Sequence, residues 1–482
     1  MGKIKTNLIY NVLYQILILI VPLITTPYVS RILLPEGVGT YSITTAIAKY
    51  FWLFAHLGMS IYGNRSIAKA KGDKKRLSET FWNLFYFQLI NSSVFLILYI
   101  IYIIIWGYDS FGIVIICQIP YVLAAVLEIS WFFYGTEQFK FIVIRNSIIK
   151  IITAISIFVL VKDVNDVWIY ALINAISLFV GQACLWPFVK KHVNLEKPNF
   201  KIIKSHLKPN CSLFVSFVAV SIYTLMDKVM IEILSNTIEL GYYENSYKIM
   251  DICCSIVGAI GAVMLPRISY LMENKKTEKV NNYLEKSMKY IMMLAIGIAF
   301  GMAGVGKEFS VIYFGKEFAA SGTVMMTIAP TIIFYSWENI IKNQYLLPSN
   351  KDKIFIKATI LAAITNTIIN FIFIRHYGAV GAAIGTVAAL FVSILYQSFK
   401  VRKELSIFKY IKNSIIFIMF ASIMFVYCRF ISFIIEPSIM CIFAQVFGGA
   451  IIYILLIVSY FIIIKDELIL DFYTKIKSKV LK

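Results

Sequence analysis

A chain of 482 residues that is 60% hydrophobic and only 15% charged, with a mean hydropathy of +0.78, falls outside the range of soluble domains, which run about 45–50% apolar and about 25% charged. Its 46 Lys and Arg against 26 Asp and Glu leave a net charge of +20, and because the cations sit between apolar runs they point to membrane orientation rather than to nucleic acid. An ordinary soluble enzyme is excluded, and an integral membrane protein is expected.

A bilayer crossing takes about 20 apolar residues. Runs of that kind predict fourteen spans, at 8–34, 38–62, 81–105, 111–133, 141–161, 167–189, 211–234, 242–265, 290–305, 322–346, 354–374, 378–399, 410–431 and 438–464. The first run follows Lys3 and Lys5 as a signal peptide would. It is too long for one, contains Pro22 and Pro27, and lacks a small-residue cleavage site, so an uncleaved span is expected. The ninth run is short and rich in Gly and Met. Assigned to alternate connections, 35 Lys and Arg fall on one side and four (Lys162, Lys307, Lys316 and Arg375) on the other. That split places both termini in the cytoplasm. Trp82 with Trp106, and Trp168 with Trp186, bracket spans three and six as interfacial anchors. No outward loop could fold alone, the longest running over 306–321; the work is expected within the membrane.

The basic linker 191–209 divides the chain into a lobe of six spans (1–190) and a second lobe of six (210–400), followed by two further spans and a cytoplasmic tail (401–482). A faint echo joins the lobes. Gly39-Thr-Tyr41 between spans one and two recurs, 202 residues on, as Gly241-Tyr-Tyr243 between spans seven and eight. Repeats of six spans share one topology, so their symmetry axis would stand along the membrane normal.

Charges within apolar spans cost a few kcal/mol on insertion scales, so those that occur face a bundle interior or an aqueous cavity. The candidates are Lys49, Glu128, Asp227 with Lys228, Glu244, Lys248, Asp251, and Glu338 with Lys342; Arg31 lies near the outward end of span one. Three pairings have a structural reading: Asp227 with Lys228, Glu244 with Lys248, and Glu338 with Lys342, the last two at the helical spacing of four. Lys49 has no acidic neighbour within a turn or two and needs a partner from another helix, water or an anionic ligand. His56, in the inner half of span two, reads as packed or hydrogen-bonded. The seven cysteines lie in or beside apolar stretches and read as small core residues. No zinc-type helix, phosphate loop or nucleophile triad is present in the sequence, so neither catalytic residues nor a metal site is expected.

Specific strings carry a resemblance. Pro22 through Tyr41, with Thr25, Pro27, Arg31, Pro35, Glu36 and Gly39, resembles the opening signature of the polysaccharide (Wzx-type) flippases of the multidrug/oligosaccharidyl-lipid/polysaccharide exporter superfamily. Tyr62-Gly-Asn-Arg65, the stretch from Glu128 through Trp131 and Gly135 to Lys140, Met226-Asp-Lys228, Gly241-Tyr-Tyr243 and Leu265-Pro-Arg267 are similar to the same family in order. So are Asn366, Asn370 and the run from Gly378 through Gly381 and Gly385 to Thr386. One departure stands out: Ile374 is followed by Arg375-His376 where Ile-Pro is common, which puts the local turn in question.

The resemblance implies an all-α membrane protein with two pseudo-symmetric six-helix lobes around a central cavity and two extra C-terminal helices. It implies movement of undecaprenyl-pyrophosphate-linked oligosaccharide units from the inner to the outer leaflet of a bacterial cytoplasmic membrane by alternating access. The product would feed capsule, O-antigen or another surface polysaccharide, alongside a polymerase and other assembly proteins. Lys49, Arg31 and Lys248 are then the expected pyrophosphate contacts, with Arg65 at the cytoplasmic mouth. Glu128, Asp227, Glu244 and Asp251 are the carboxylates for proton or sodium coupling, and no cofactor is expected. Pro22, Pro27, Pro120 and Pro330 are bending points or fixed kinks. Gly381 and Gly385 allow close packing. The alternatives are a multidrug or lipid II transporter of the same superfamily, and, from another class, a membrane glycosyltransferase or polysaccharide polymerase.

Overall fold

The computed structural model describes residues 2–273 and 277–466, and among these no strand occurs. The basic tail expected beyond Asp466 lies outside the described residues. Among the described residues, nine helices are long and apolar enough to cross a membrane, or up to ten when the pair Lys316–Ile328 and Pro330–Leu346, bent by 41°, is counted as one span. The surface is the inverse of a soluble protein's. Ile104, Val426 and Phe433 are exposed, while the amides of Gln88, Asn366, Asn370 and Gln397 are fully buried. A bilayer solvates the former; of the latter, Gln88 and Gln397 bond to neighbouring helices, and Asn370 donates to Asn366 within one helix.

The chain divides into two compact units, 1–244 and 245–482. In the first unit α1 (Gly2–His56) is followed by α2 (Met59–Ala70) and α3 (Lys74–Tyr102). Span four is built from α4 (Ile119–Leu127) and α5 (Ser130–Gly135), and then come α6 (Phe139–Leu160), α7 (Val167–Ala183) and α8 (Leu207–Leu234). The long α9 (Thr237–Glu273) begins in this unit. The unit therefore runs past the linker. Residues 194–199 are strung along α3: Ser78 Oγ accepts from Asn194 N at 3.0 Å, Trp82 Nε1 donates to Asn194 O at 2.8 Å, and Asn83 Oδ1 accepts from Asn199 N at 2.8 Å.

Pro22, Pro27 and Pro35 all lie inside α1, yet its non-helical dihedrals fall at Leu34 (φ 59°, ψ 176°), where spans one and two divide. Pro22 and Pro27 thus leave span one helical rather than breaking it. Pro120 and Pro330 each stand in the first turn of a helix, where a missing N–H costs nothing. Of the tryptophans expected to bracket spans three and six, Trp106 and Trp168 are exposed, whereas Trp82 donates to Asn194 O and Trp186 to Leu127 O.

The second unit contains α10 (Thr277–Phe309), α11 (Ala319–Ile328), α12 (Pro330–Ile341), α13 (Asp352–Val401), α14 (Ile407–Ile434) and α15 (Gly449–Ile463). The Gly- and Met-rich ninth run belongs to α10, and its composition has a packing reason. A Cβ on Gly297 would lie 2.4 Å from the Tyr453 ring, and one on Gly304 would lie 3.0 Å from Cys428 Cβ. Helix α13 folds back at Gly378, whose φ of 52° suits glycine. A Cβ on Gly381 would lie 2.4 Å from Phe373 O, and one on Gly385 would lie 1.9 Å from Asn370 Oδ1. The turn in question after Arg375-His376 is therefore a tight glycine hairpin, with both glycines spent on close approach.

Outside the spans, the Lys351 ammonium donates to Glu404 Oε1 at 2.6 Å, and Tyr345 also donates to Glu404. These hydrogen bonds, Lys351 first, hold the Glu404 carboxyl below the usual carboxylate range. A lowered carboxyl stabilises the fold above its ordinary value near about 4, and that contribution is lost as the pH falls through the lowered one. Glu404→Gln is expected to melt slightly below wild type at neutral pH and to converge with it in acid. The gap should be small and salt-sensitive because the pair is mostly exposed. Thermal melting in detergent across pH checks this, and a gap that widens in acid would contradict it.

Candidate functional site

Two polar constellations stand out in the first unit. The first lies where the segment after Leu34 meets the start of α9. A Cβ on Gly39 would lie 1.9 Å from Thr237 O, and a Cβ on Gly241 would lie 2.0 Å from Pro35 O. Pro35 and Thr237 are themselves 202 residues apart, as are Gly39 and Gly241. The contact is therefore reciprocal, each glycine meeting the other segment's counterpart of its own neighbour, as across a two-fold axis. One turn on, Ser42 Oγ donates to Glu244 Oε2 at 2.7 Å, and these two are again 202 residues apart.

Glu244 also receives Lys228 Nζ at 2.6 Å, while Tyr243 OH donates to Asp227 Oδ2 at 2.7 Å. Asp227, Tyr243 and Glu244 are buried and Lys228 is half-buried. Lys228 thus serves Glu244 rather than Asp227, since consecutive residues on a helix point about 100° apart. Glu244 takes this lysine from α8.

The second constellation is a pair of helix breaks. Helix α1 ends at His56 and Leu57 takes φ 45°; α4 ends at Leu127 and Glu128 takes ψ 112°. Carbonyls released by a break within a membrane must find other donors. Asn91 Nδ2 takes Phe54 O and Ala55 O at 2.8 and 2.7 Å, and Ser92 Oγ takes Ala55 O at 3.1 Å. Gln88 Nε2 takes Ala125 O and Glu128 O at 2.7 and 2.6 Å, and Trp186 Nε1 takes Leu127 O at 3.1 Å. One helix, α3, thus supports both breaks. Glu128 and His56 face each other across them, with 3.7 Å between Oε2 and Nε2.

In the second unit, Glu338 accepts from Ser393 Oγ at 2.5 Å and Gln397 Nε2 at 2.8 Å, and Lys342 lies over the Phe355 ring at 4.2 Å. Glu338 thus takes two neutral donors, while the Lys342 charge also acts on it. Glu308 accepts from Arg429 at 2.9 Å and from Gln445 at 3.3 Å. A cavity of about 490 Å³ opens among α9, α10, α14 and α15, lined by apolar groups such as Ile298, Gly301, Met424 and Ile454.

Of the residues expected to meet cargo, Lys49, Arg31 and Arg65 are exposed in the first unit, and Lys248 is half-buried in the second. Lys49 is thus a cation at the surface of an apolar stretch of α1. Among the carboxylates, Asp227 and Glu244 share one network, Glu128 stands at a helix break, and Asp251 is exposed. Sequence reasoning missed Ser42, Tyr243, Gln88 and Asn91. The 202-residue register points to Ser42 and Tyr243, and amides within an apolar run point to the other two.

The helices have the fold of a superfamily of multi-pass membrane transporters. The chain is similar to the structure titled "Lipid II flippase MurJ, inward closed conformation" at a TM-score of 0.75 and 16% identity, over 95% of this chain and 99% of that one. It is similar to an inward-facing multidrug resistance MATE family transporter of the MOP superfamily at 0.60 and 14%, over 82% and 99%. Residues 4–272 match the family described as polysaccharide biosynthesis protein, and the chain belongs to that family. Among curated relatives, a putative O-antigen transporter of Shigella dysenteriae is 24% identical over 79% of this chain and 95% of its own length. The capsular polysaccharide biosynthesis protein CapF of Staphylococcus aureus is 22% identical over 75% and 90%. The probable low-salt glycan biosynthesis flippase Agl15 of Haloferax volcanii is 26% identical over 46% and 47%.

Proposed function

We propose that this protein flips a lipid-linked oligosaccharide, of the undecaprenyl-pyrophosphate class, from the cytoplasmic to the outer leaflet of a bacterial cytoplasmic membrane by alternating access. Lys49 carries the reading: an exposed ammonium on an apolar helix is costly unless it meets water or an anion. Arg31 and Arg65 add cations of the same unit for a sugar-pyrophosphate head. The apolar cavity of the second unit suits a polyprenyl tail. The relatives named as O-antigen transporter and glycan flippase support the cargo class. Both termini lie in the cytoplasm on the charge pattern. The likeness to a lipid II flippase over 95% of the chain favours lipid II as the second reading.

Leaflet exchange of a fluorescent lipid-pyrophosphate oligosaccharide in proteoliposomes tests this. Lys49→Ala is expected to slow exchange about tenfold, the loss of about 1.4 kcal/mol of charge-assisted contact, with Lys49→Arg retaining most of it and melting unchanged in both. Wild-type exchange in Lys49→Ala defeats the lysine assignment. Exchange of lipid II but not of the oligosaccharide establishes the second reading instead.

A further inference from the structure

We propose that Glu128 and His56 form a proton-binding site that couples proton movement to bending at the paired helix breaks. The inference rests on the transport reading for what that bending drives, not for the existence of the site. Glu128 is 7% exposed and His56 3%. Glu128 Oε1 accepts the Ser130 N–H at 3.0 Å, whereas Oε2 and His56 Nδ1 are buried with no hydrogen-bond partner. The 3.7 Å between Oε2 and Nε2 is too long for a hydrogen bond but short enough for ion pairing. With one proton the couple is neutral overall, whether as carboxylic acid and imidazole or as carboxylate and imidazolium. Without it, a bare carboxylate oxygen remains buried, which is costly.

The surroundings hold the couple in place without competing for the proton. Trp52 stacks on the imidazole with centroids 5.1 Å apart and planes 17° apart. Gln88, Asn91 and Ser92 from α3, and Trp131 from α5, are committed to backbone or to each other, and Ser130 gives its N–H to Glu128. None of these titrates. The remaining titratable groups on α2 are Tyr62, hydrogen-bonded to His206 at 2.8 Å, and the exposed Arg65 and Lys69. Ser60, also on α2, is exposed and lies 2.9 Å from His56 Nε2, so its hydroxyl gives the proton a port.

Glu338 supplies the contrast. It stands eight residues after Pro330, as Glu128 stands eight after Pro120, but two neutral donors satisfy it. Because Gln88 and Asn91 tie both breaks to α3, adding or removing the proton changes the load on two hinges at once.

Infrared difference spectroscopy of the purified protein, titrated with pH in sodium-free buffer, tests the site. A protonated-carboxyl band is expected that Glu128→Gln removes, Glu128→Asp keeps, and His56→Gln shifts in midpoint by about one pH unit, as loss of a nearby charge does. A band unchanged in Glu128→Gln, or a midpoint indifferent to His56→Gln, overturns the proposal. Proteoliposomes with a trapped pH dye then read coupling. Proton movement that accompanies lipid exchange in wild type and is lost in Glu128→Gln supports it, and its persistence overturns it. Absence of lipid exchange in wild type defeats the transport reading, and the infrared result still decides the site.

Discussion

Gly39→Ala and Gly241→Ala are each expected to destabilise the protein by about 1–3 kcal/mol, the range for overpacking a close contact. The added methyl would lie 1.9 Å from Thr237 O in one case and 2.0 Å from Pro35 O in the other. Ordinary contact is about 3.5 Å, so the segments must part by about 1.5 Å. The reciprocity sharpens the prediction. Both methyls push open the same contact, so the parting forced by one makes room for the other, and the double variant should cost less than the sum of the singles. Gly72→Ala is the control, because a Cβ there meets nothing within 4 Å. Thermal melting of the four variants in detergent reads the energies. Maleimide labelling of Thr237→Cys in a Gly39→Ala background reads the parting, and should be faster than in wild type. Strict additivity, or melting like the control, would mean that the two glycines do not share one contact. If the segments separate during transport, the same variants should shift the balance towards the separated state, since a ligand or substitution moves an equilibrium only by its differential energy.

The all-helical, multi-pass character was legible because it rests on composition alone: apolar length needs no knowledge of neighbours. The Gly39 and Gly241 echo was legible as a repeat, but not as a contact. Nothing in one strand of sequence says that each glycine meets the other repeat's Pro35 or Thr237 position. Charge partners were the least legible. Spacing along one helix put Lys228 beside Asp227, whereas packing between helices gives it to Glu244 and adds Ser393 and Gln397 around Glu338. Some of the helix breaks were hidden for a related reason. Prolines 22 and 27 mark the sequence but leave α1 helical. The breaks at Leu57 and Glu128 carry no proline, and they persist because Asn91, Ser92 and Gln88 on another helix take up the released carbonyls. A break sustained by a distant amide is invisible to local rules.

Lys228→Met is expected to be among the most damaging single substitutions, at about 3–5 kcal/mol, the cost of breaking a buried ion pair by removing one member. Glu244 is 7% exposed and would lose the ammonium that meets its Oε2 at 2.6 Å beside the Ser42 hydroxyl. Glu244→Gln should cost less. The amide oxygen still accepts from Ser42, and the lysine side chain, 18% exposed, has a long stem with which to carry its ammonium towards water. The double variant Lys228→Met with Glu244→Gln removes both charges and should recover much of what Lys228→Met alone loses, so the cycle should show strong coupling of the two residues. Melting and denaturant titration in detergent measure the cycle, and leaflet exchange shows whether the neutral pair still works. If Lys228→Met is harmless, or if the two substitutions simply add, the ion pair does not hold the segments at Ser42 and Glu244 together. If instead the double variant is stable but no longer flips lipid, the pair is retained for the transport cycle rather than for stability, since buried ion pairs give little net stability over packed neutral side chains.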